Sequence, residues 1–186
     1  MRGVYALGMP VGLDAELLVI DGSVYRSRSH TDDSIVETPD MEAAFLVHAT
    51  VPSWTAVSLP GEVTTFKALE TFVVEQARDS GLQVEDGFPF LLEGEVSWLE
   101  WFVVGGTGNG LPDKRASFLR NRMRGGMDDR RIRAVGFHVP KALGVATSPY
   151  APTHIHFVTD DDQEQFVGHL NGKIAIQPGA RILLPR

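Results

Sequence analysis

Apolar and polar positions alternate along most of this chain in short runs cut by turn residues, the pattern of a protein built mainly from β-strands. Residues 16–20 and 23–28 flank Asp21-Gly22, a dipeptide that accepts the positive φ angles of a tight hairpin turn, so the two runs are predicted to pair. Residues 43–50 and 54–59 read as a second strand pair, broken at Pro52. One stretch departs from alternation. Between Thr65 and Ser80, the apolar Phe66, Leu69, Phe72, Val73 and Ala77 recur at helical spacing, with threonines at the entry and Gly81 just past the end. Lys67, Glu70, Glu75, Arg78 and Asp79 fill the opposite face, so the helix is expected on the surface with one stripe against a sheet.

Residues 88–92 and 96–104 around Glu93-Gly94-Glu95 predict a further hairpin. The run from Gly105 to Gly110 carries four glycines and suits a flexible connection; no GK[ST] follows it, so a phosphate-binding loop is the weaker reading. This divides the chain into an N-terminal sheet and helix (residues 1–104), a connection (105–111) and a C-terminal β half (112–186). Within the second half, residues 113–124 predict a short basic helix closed by Gly125-Gly126, followed by strands at 132–138, 154–159, 165–170, 173–176 and 182–184.

Composition narrows the chemistry. The 186 residues suit one domain or two small subdomains, and 43% hydrophobic with 22% charged residues describes an ordinary globular chain. With no cysteine, a disulfide framework, thiolate ligation and a cysteine nucleophile are all excluded, and any transition metal must rest on imidazole and carboxylate. The net charge of -7 argues against a nucleic-acid partner; the basic segment 113–124, part of a basic stretch that runs to Arg133, is read as a solvated face, the alternative being that its arginines meet an anionic substrate. No apolar run is long enough to span a membrane, and the opening residues carry no cleavage pattern of a signal peptide, so a cytoplasmic location is expected. The partners expected are a small-molecule substrate and, as assembly, a homodimer.

The histidines carry the strongest chemical signal. In Thr153-His154-Ile155-His156-Phe157, strand periodicity turns His154 and His156 to one face and Ile155 and Phe157 to the apolar other. Asp160-Asp161-Asp162 is a natural turn, and a hairpin there returns His169 alongside. Three imidazoles around one point are the donor set of a metal site with an exchangeable position, the alternative being ordinary histidines, one or two of them satisfied in the core; zinc suits such a site, and another divalent transition metal is compatible. His30 sits in a polar loop, and His48 and His138 are read as inward-facing packing residues without a role. The HxH pattern also occurs in cupins, with Asp160 as the carboxylate, but the glycine spacing that precedes it there is missing.

The segment from His154 to Asp161, with Gly168-His169, resembles the metal-binding region of the alpha-acetolactate decarboxylase family. Leu13-Asp14-Ala15-Glu16 followed by Asp21-Gly22-Ser23-Val24-Tyr25 is similar to that family's LDGE and DGxxY segments, and Val135-Gly136-Phe137-His138-Val139-Pro140 to its VGFxxP strand. The resemblance implies zinc on His154, His156 and His169, and Glu16 beside it as a ligand or proton-transfer group; a solvent-facing strand residue is the alternative for Glu16. It implies an α+β, mainly β fold: a mixed or antiparallel sheet with a surface helix, packed against a smaller β-barrel-like C-terminal half that carries the metal. It also implies two groups this sequence shows differently. Phe102 stands where the family has a carboxylate-binding arginine, and no equivalent of a tail glutamate is found before Leu184-Pro185-Arg186.

The activity implied is metal-dependent decarboxylation of a keto or hydroxy-keto acid through an enediolate. Trp98, Trp101 and Phe102 are either core or an aromatic substrate pocket, with Trp98 and Phe102 the pocket candidates. An aromatic pocket would suit a metal-dependent isomerase, cyclase, dehydratase or hydrolase acting on a larger substrate, and a non-catalytic metal-binding relative is the third reading.

Overall fold

The computed structural model describes residues 2–27, 42–61, 63–105, 122–147, 149–160 and 165–186. They form two antiparallel sheets and, among the described residues, one α-helix. In chain order the strands are β1 (Val4–Pro10), β2 (Leu17–Ile20), β3 (Ser23–Arg26), β4 (Ala43–Thr50) and β5 (Trp54–Ser58), then α1 (Phe66–Asp79). After α1 come β6 (Phe88–Val103), β7 (Met123–His138), β8 (Thr153–Thr159), β9 (Val167–Ile176) and β10 (Arg181–Pro185). The smaller sheet has the order β3-β2-β1-β4 and the larger β5-β10-β6-β7-β8-β9. Because β9 pairs with β6 as well as with β8, strands β6 to β9 form a closed circuit of hydrogen-bonded neighbours. Strands from both sides of residues 105–111 thus share one sheet. Among the described residues no helix is long and apolar enough to cross a membrane.

Each face of the larger sheet is covered. Alternate residues of β6 to β8 point to opposite sides. Phe90, Leu92, Ile132, Ile155 and Phe157 join the cluster beneath α1, which contributes Leu69, Val73 and Ala77. Leu91, Val135, Phe137 and Val158 meet Leu7, Leu18 and Ile20 of the smaller sheet on the other side. A strand buried on both faces reads as a near-continuous apolar run, which is why residues 134–137 carry no polar side chain. Helix α1 begins and ends where expected: the Thr65 side chain accepts the Ala68 N–H at 3.1 Å, and Gly81 follows the Ser80 cap with φ of 85°. The Asp21-Gly22 turn also forms, both residues having positive φ, and closes β2 on β3.

Four expectations are corrected. No hairpin forms at Glu93-Gly94-Glu95: β6 runs unbroken and pairs with β7 from Phe88↔His138 to Val103↔Met123. Gly94 instead marks the point where the other edge of β6 changes partner, from β10 (Leu91 to Glu93) to β9 (Val96 to Phe102). The backbone crowds there, since a Cβ on residue 94 would lie 2.5 Å from the Ala180 Cβ. Strands β4 and β5 do not pair; β4 joins β1, and the chain crosses to the larger sheet around Pro52, where β5 joins β10. Residues 167–176 form one strand rather than two. Gly125-Gly126 does not close a helix but lies within β7, which begins at Met123; the rest of the basic segment before Arg122, like residues 106–111 and His30, falls outside the described residues. Strand β1 was not foreseen, its apolar residues giving no clear alternation.

Candidate metal centre

The side of β8 that faces the smaller sheet carries His154 and His156, while Ile155 and Phe157 enter the core under α1, as the two-residue period requires. Antiparallel register then fixes the third imidazole. His169 lies directly across from His156 on β8 and, on its other side, from Phe102 on β6. His154 Nε2 comes within 2.9 Å of His156 Nε2 and 3.1 Å of His169 Nδ1. One nitrogen from each ring thus lies within 4.8 Å of the others.

The outer nitrogens set the tautomers. His154 Nδ1 is 2.9 Å from the Ala146 carbonyl and His156 Nδ1 is 2.8 Å from the Leu17 carbonyl. A carbonyl only accepts, so both Nδ1 atoms carry hydrogen and both Nε2 atoms present lone pairs. Two lone pairs 2.9 Å apart repel unless a cation stands between them. The spacing fits one, since nitrogens bound at about 2.0–2.1 Å around a tetrahedral ion lie about 3.3 Å apart. Burial also keeps the rings neutral: it lowers the His154 pKa to about 4, and those of His156 and His169 well below the usual imidazole value. Neutral imidazole oriented by a carbonyl is the form a divalent transition ion binds.

Glu16 completes the cluster. It is 1% exposed, so the solvent-facing alternative falls. Its N–H donates to Ser27 Oγ at 2.7 Å and its carbonyl accepts the Ser27 N–H at 3.0 Å, which fixes the backbone just before β2. The carboxyl group reaches across to the larger sheet, where Oε1 accepts the Val104 N–H at 3.0 Å and Oε2 lies 3.2 Å from His156 Nε2. Burial pushes its pKa up to about 8 despite the Val104 hydrogen bond, so without a cation it holds a proton at neutral pH. That has a measurable sign. A folded-state pKa above the unfolded value gives stability that is complete below pH 4.5 and lost as pH rises through about 8. Relative to metal-free Glu16→Gln, in which the histidine titrations are the same, metal-free wild type is therefore expected to lose melting temperature as pH rises from about 5 to about 8. Parallel slopes in thermal denaturation would refute it.

The remaining candidates separate. Phe102 stacks on His169, centroids 4.0 Å apart and planes at 23°, so it does line the cluster. Trp98 is not brought in: four residues further back along β6, it is 36% exposed with its ring over Gly126. His48 is exposed rather than inward-facing, whereas His138 is buried and bonded to Thr153 Oγ1. Asp160 pairs with Arg133 at 3.3 Å instead of joining the histidines. Sequence reasoning missed Phe45, whose ring lies parallel to His154 at 6.4 Å, and the Val104, Leu17 and Ala146 backbone groups. Phe45 has only the inward stripe of β4 as a signal, and main-chain groups have none.

A sequence model of alpha-acetolactate decarboxylase matches residues 1–178. Among solved structures, alpha-acetolactate decarboxylase from Bacillus subtilis strain 168 superposes with a TM-score of 0.74 at 18% identity, covering 100% of this chain and 74% of that one. The enzyme from Bacillus subtilis subspecies spizizenii gives 0.74 at 19%, over 100% and 75%. A Staphylococcus aureus protein of unknown function, described as similar to alpha-acetolactate decarboxylase, gives 0.71 at 16%, over 100% and 73%. No curated protein sequence matches.

Proposed function

Since the chain belongs to the alpha-acetolactate decarboxylase family, we propose that it is a metal-dependent carbon-carbon lyase that decarboxylates a keto or hydroxy-keto acid by way of an enediolate. His154, His156 and His169 would hold zinc or another divalent transition ion, with Glu16 beside them. The observation that carries this reading is the convergence of three neutral ring nitrogens with one buried carboxyl oxygen 3.2 Å from His156 Nε2. A bound ion supplies Lewis acidity for the vicinal oxygens of such a substrate.

The chain's own groups account for the proton. Loss of carbon dioxide breaks a carbon-carbon bond and leaves its electron pair on the substrate, which then needs one proton at carbon. Glu16 Oε2 is the protonatable atom at hand, and the Val104 N–H anchors the other oxygen so that Oε2 faces the cluster. Burial of Glu16 and His156 keeps bulk water from competing as the proton donor.

Phe102 beside His169 and Phe45 beside His154 support a second reading, a metal-dependent isomerase, cyclase, dehydratase or hydrolase with a larger, partly apolar substrate. Incubation of metal-loaded protein with 2-acetolactate separates the two: acetoin and carbon dioxide in equal amounts support decarboxylation. Full metal occupancy without either product would leave the second reading.

A further inference from the structure

Beyond the histidines, the same side of the sheet carries a cation that nothing so far accounts for. Strand β6 runs between β9 and β7 here, Phe102 lying across from His169 on one side and from Arg124 on the other. Arg122, immediately before β7, places its guanidinium carbon 5.2 Å from the Phe102 ring centroid. Phe102 therefore stands between the His169 imidazole and the Arg122 guanidinium. Arg122 Nε is buried and has no hydrogen-bond partner among the described residues. Among the described residues no carboxylate pairs with Arg122 or with neighbouring Arg124. A buried guanidinium N–H is costly to leave unpaired, and two neighbouring arginines without an acid favour an anion between or beside them. The mutual repulsion is also felt as a lowered Arg122 pKa, secondary to burial.

We propose that Arg122 binds a carboxylate of the substrate distal to the group that engages the histidine cluster, and so selects an acid with a second, remote carboxylate. The strand order makes the distinction, since β6 with Phe102 lies between β9 with His169 and β7, which Arg122 precedes. The guanidinium carbon lies within about 9 Å of the His169 ring centroid, the two ring spacings taken end to end, with a phenyl ring between. A carboxylate on the carbon next to the chelating oxygens would stay on the histidine side of Phe102, whereas one several bonds further on passes it. The apolar stem of such a substrate would lie along Phe102, and its far end would meet the Nε and terminal N–H groups of Arg122, a fork suited to a carboxylate.

The inference rests on the metal site proposed above, and its test keeps the two apart. Metal content is measured first on wild type and Arg122→Gln, both expected to hold the same amount. Zinc-loaded protein is then titrated calorimetrically with 2-hydroxyadipate and with 2-hydroxyhexanoate, ligands of equal length that differ in the distal carboxylate. Wild type is expected to bind the diacid about tenfold tighter or more, Arg122→Gln to bind both within twofold, and Arg122→Lys to recover part of the difference. Equal binding by wild type, binding of neither ligand at full metal occupancy, or unchanged discrimination in Arg122→Gln would overturn the Arg122 assignment alone. A wild-type protein that takes up no metal would overturn the reading beneath it.

Discussion

Replacing His169 by alanine is expected to empty the metal centre. Wild-type protein should hold about one divalent ion per chain after saturation and desalting; His169→Ala should retain almost none, with affinity down by more than ~100-fold, since even the outer partners of metal ligands are worth 10–100-fold. The loss follows from the donor set. Without His169 only two ring nitrogens remain at the cluster, and Glu16 cannot make up the deficit cheaply because burial favours its protonated form. His156→Ala should do the same but is the poorer probe, because His156 is fully buried and bonded to the Leu17 carbonyl, so the fold itself is at risk. His169 is only partly buried. His48→Ala, on an exposed position of β4, serves as the control and should keep its ion. Elemental analysis with competition by a coloured chelator gives both occupancy and affinity. Equal occupancy in wild type, His169→Ala and His156→Ala would mean that the imidazoles merely pack.

The site was more legible in the sequence than the fold that holds it, and the reason is physical. His154 and His156 declare their common face through the two-residue strand period, and the antiparallel pairing of β8 with the next strand, β9, makes His169 their neighbour, the acidic turn expected at Asp160-Asp161-Asp162 lying mostly outside the described residues. Local rules suffice for that. Glu16 was recoverable only through family resemblance, because its partner Val104 is 88 residues away and is a main-chain N–H. The same limit explains the corrections. Gly94 looks like a turn residue, yet what decides its conformation is the close approach of Ala180 from a strand late in the chain. Pro52 was read as a break inside one strand pair, whereas it marks passage between sheets, since β4 finds a better partner in β1 than in β5. Trp98 and Phe102, four residues apart and alike in sequence, part company because only Phe102 lies across from His169. Non-local register decided each case.

Glu16→Gln is the second substitution with a large expected effect, and it separates chemistry from assembly. Glutamine is nearly isosteric, and its amide oxygen can still accept the Val104 N–H that now bonds Oε1. What it cannot do is release a proton at the position of Oε2, 3.2 Å from His156 Nε2. Turnover of a substrate that wild type decarboxylates should therefore fall by about 10²–10⁴-fold, the usual worth of a positioned general acid, with the loss in kcat and little change in KM. Metal occupancy is the deciding companion measurement. If Glu16 acts only in proton transfer, the variant keeps its ion on the three histidines; if the carboxylate is also a ligand, occupancy and turnover fall together. Glu16→Asp refines the outcome, since it retains the proton but withdraws it by one methylene, and it should recover metal binding more completely than rate. Turnover within twofold of wild type in Glu16→Gln would remove Glu16 from the reaction and return the buried carboxyl group to a purely structural role between the two sheets.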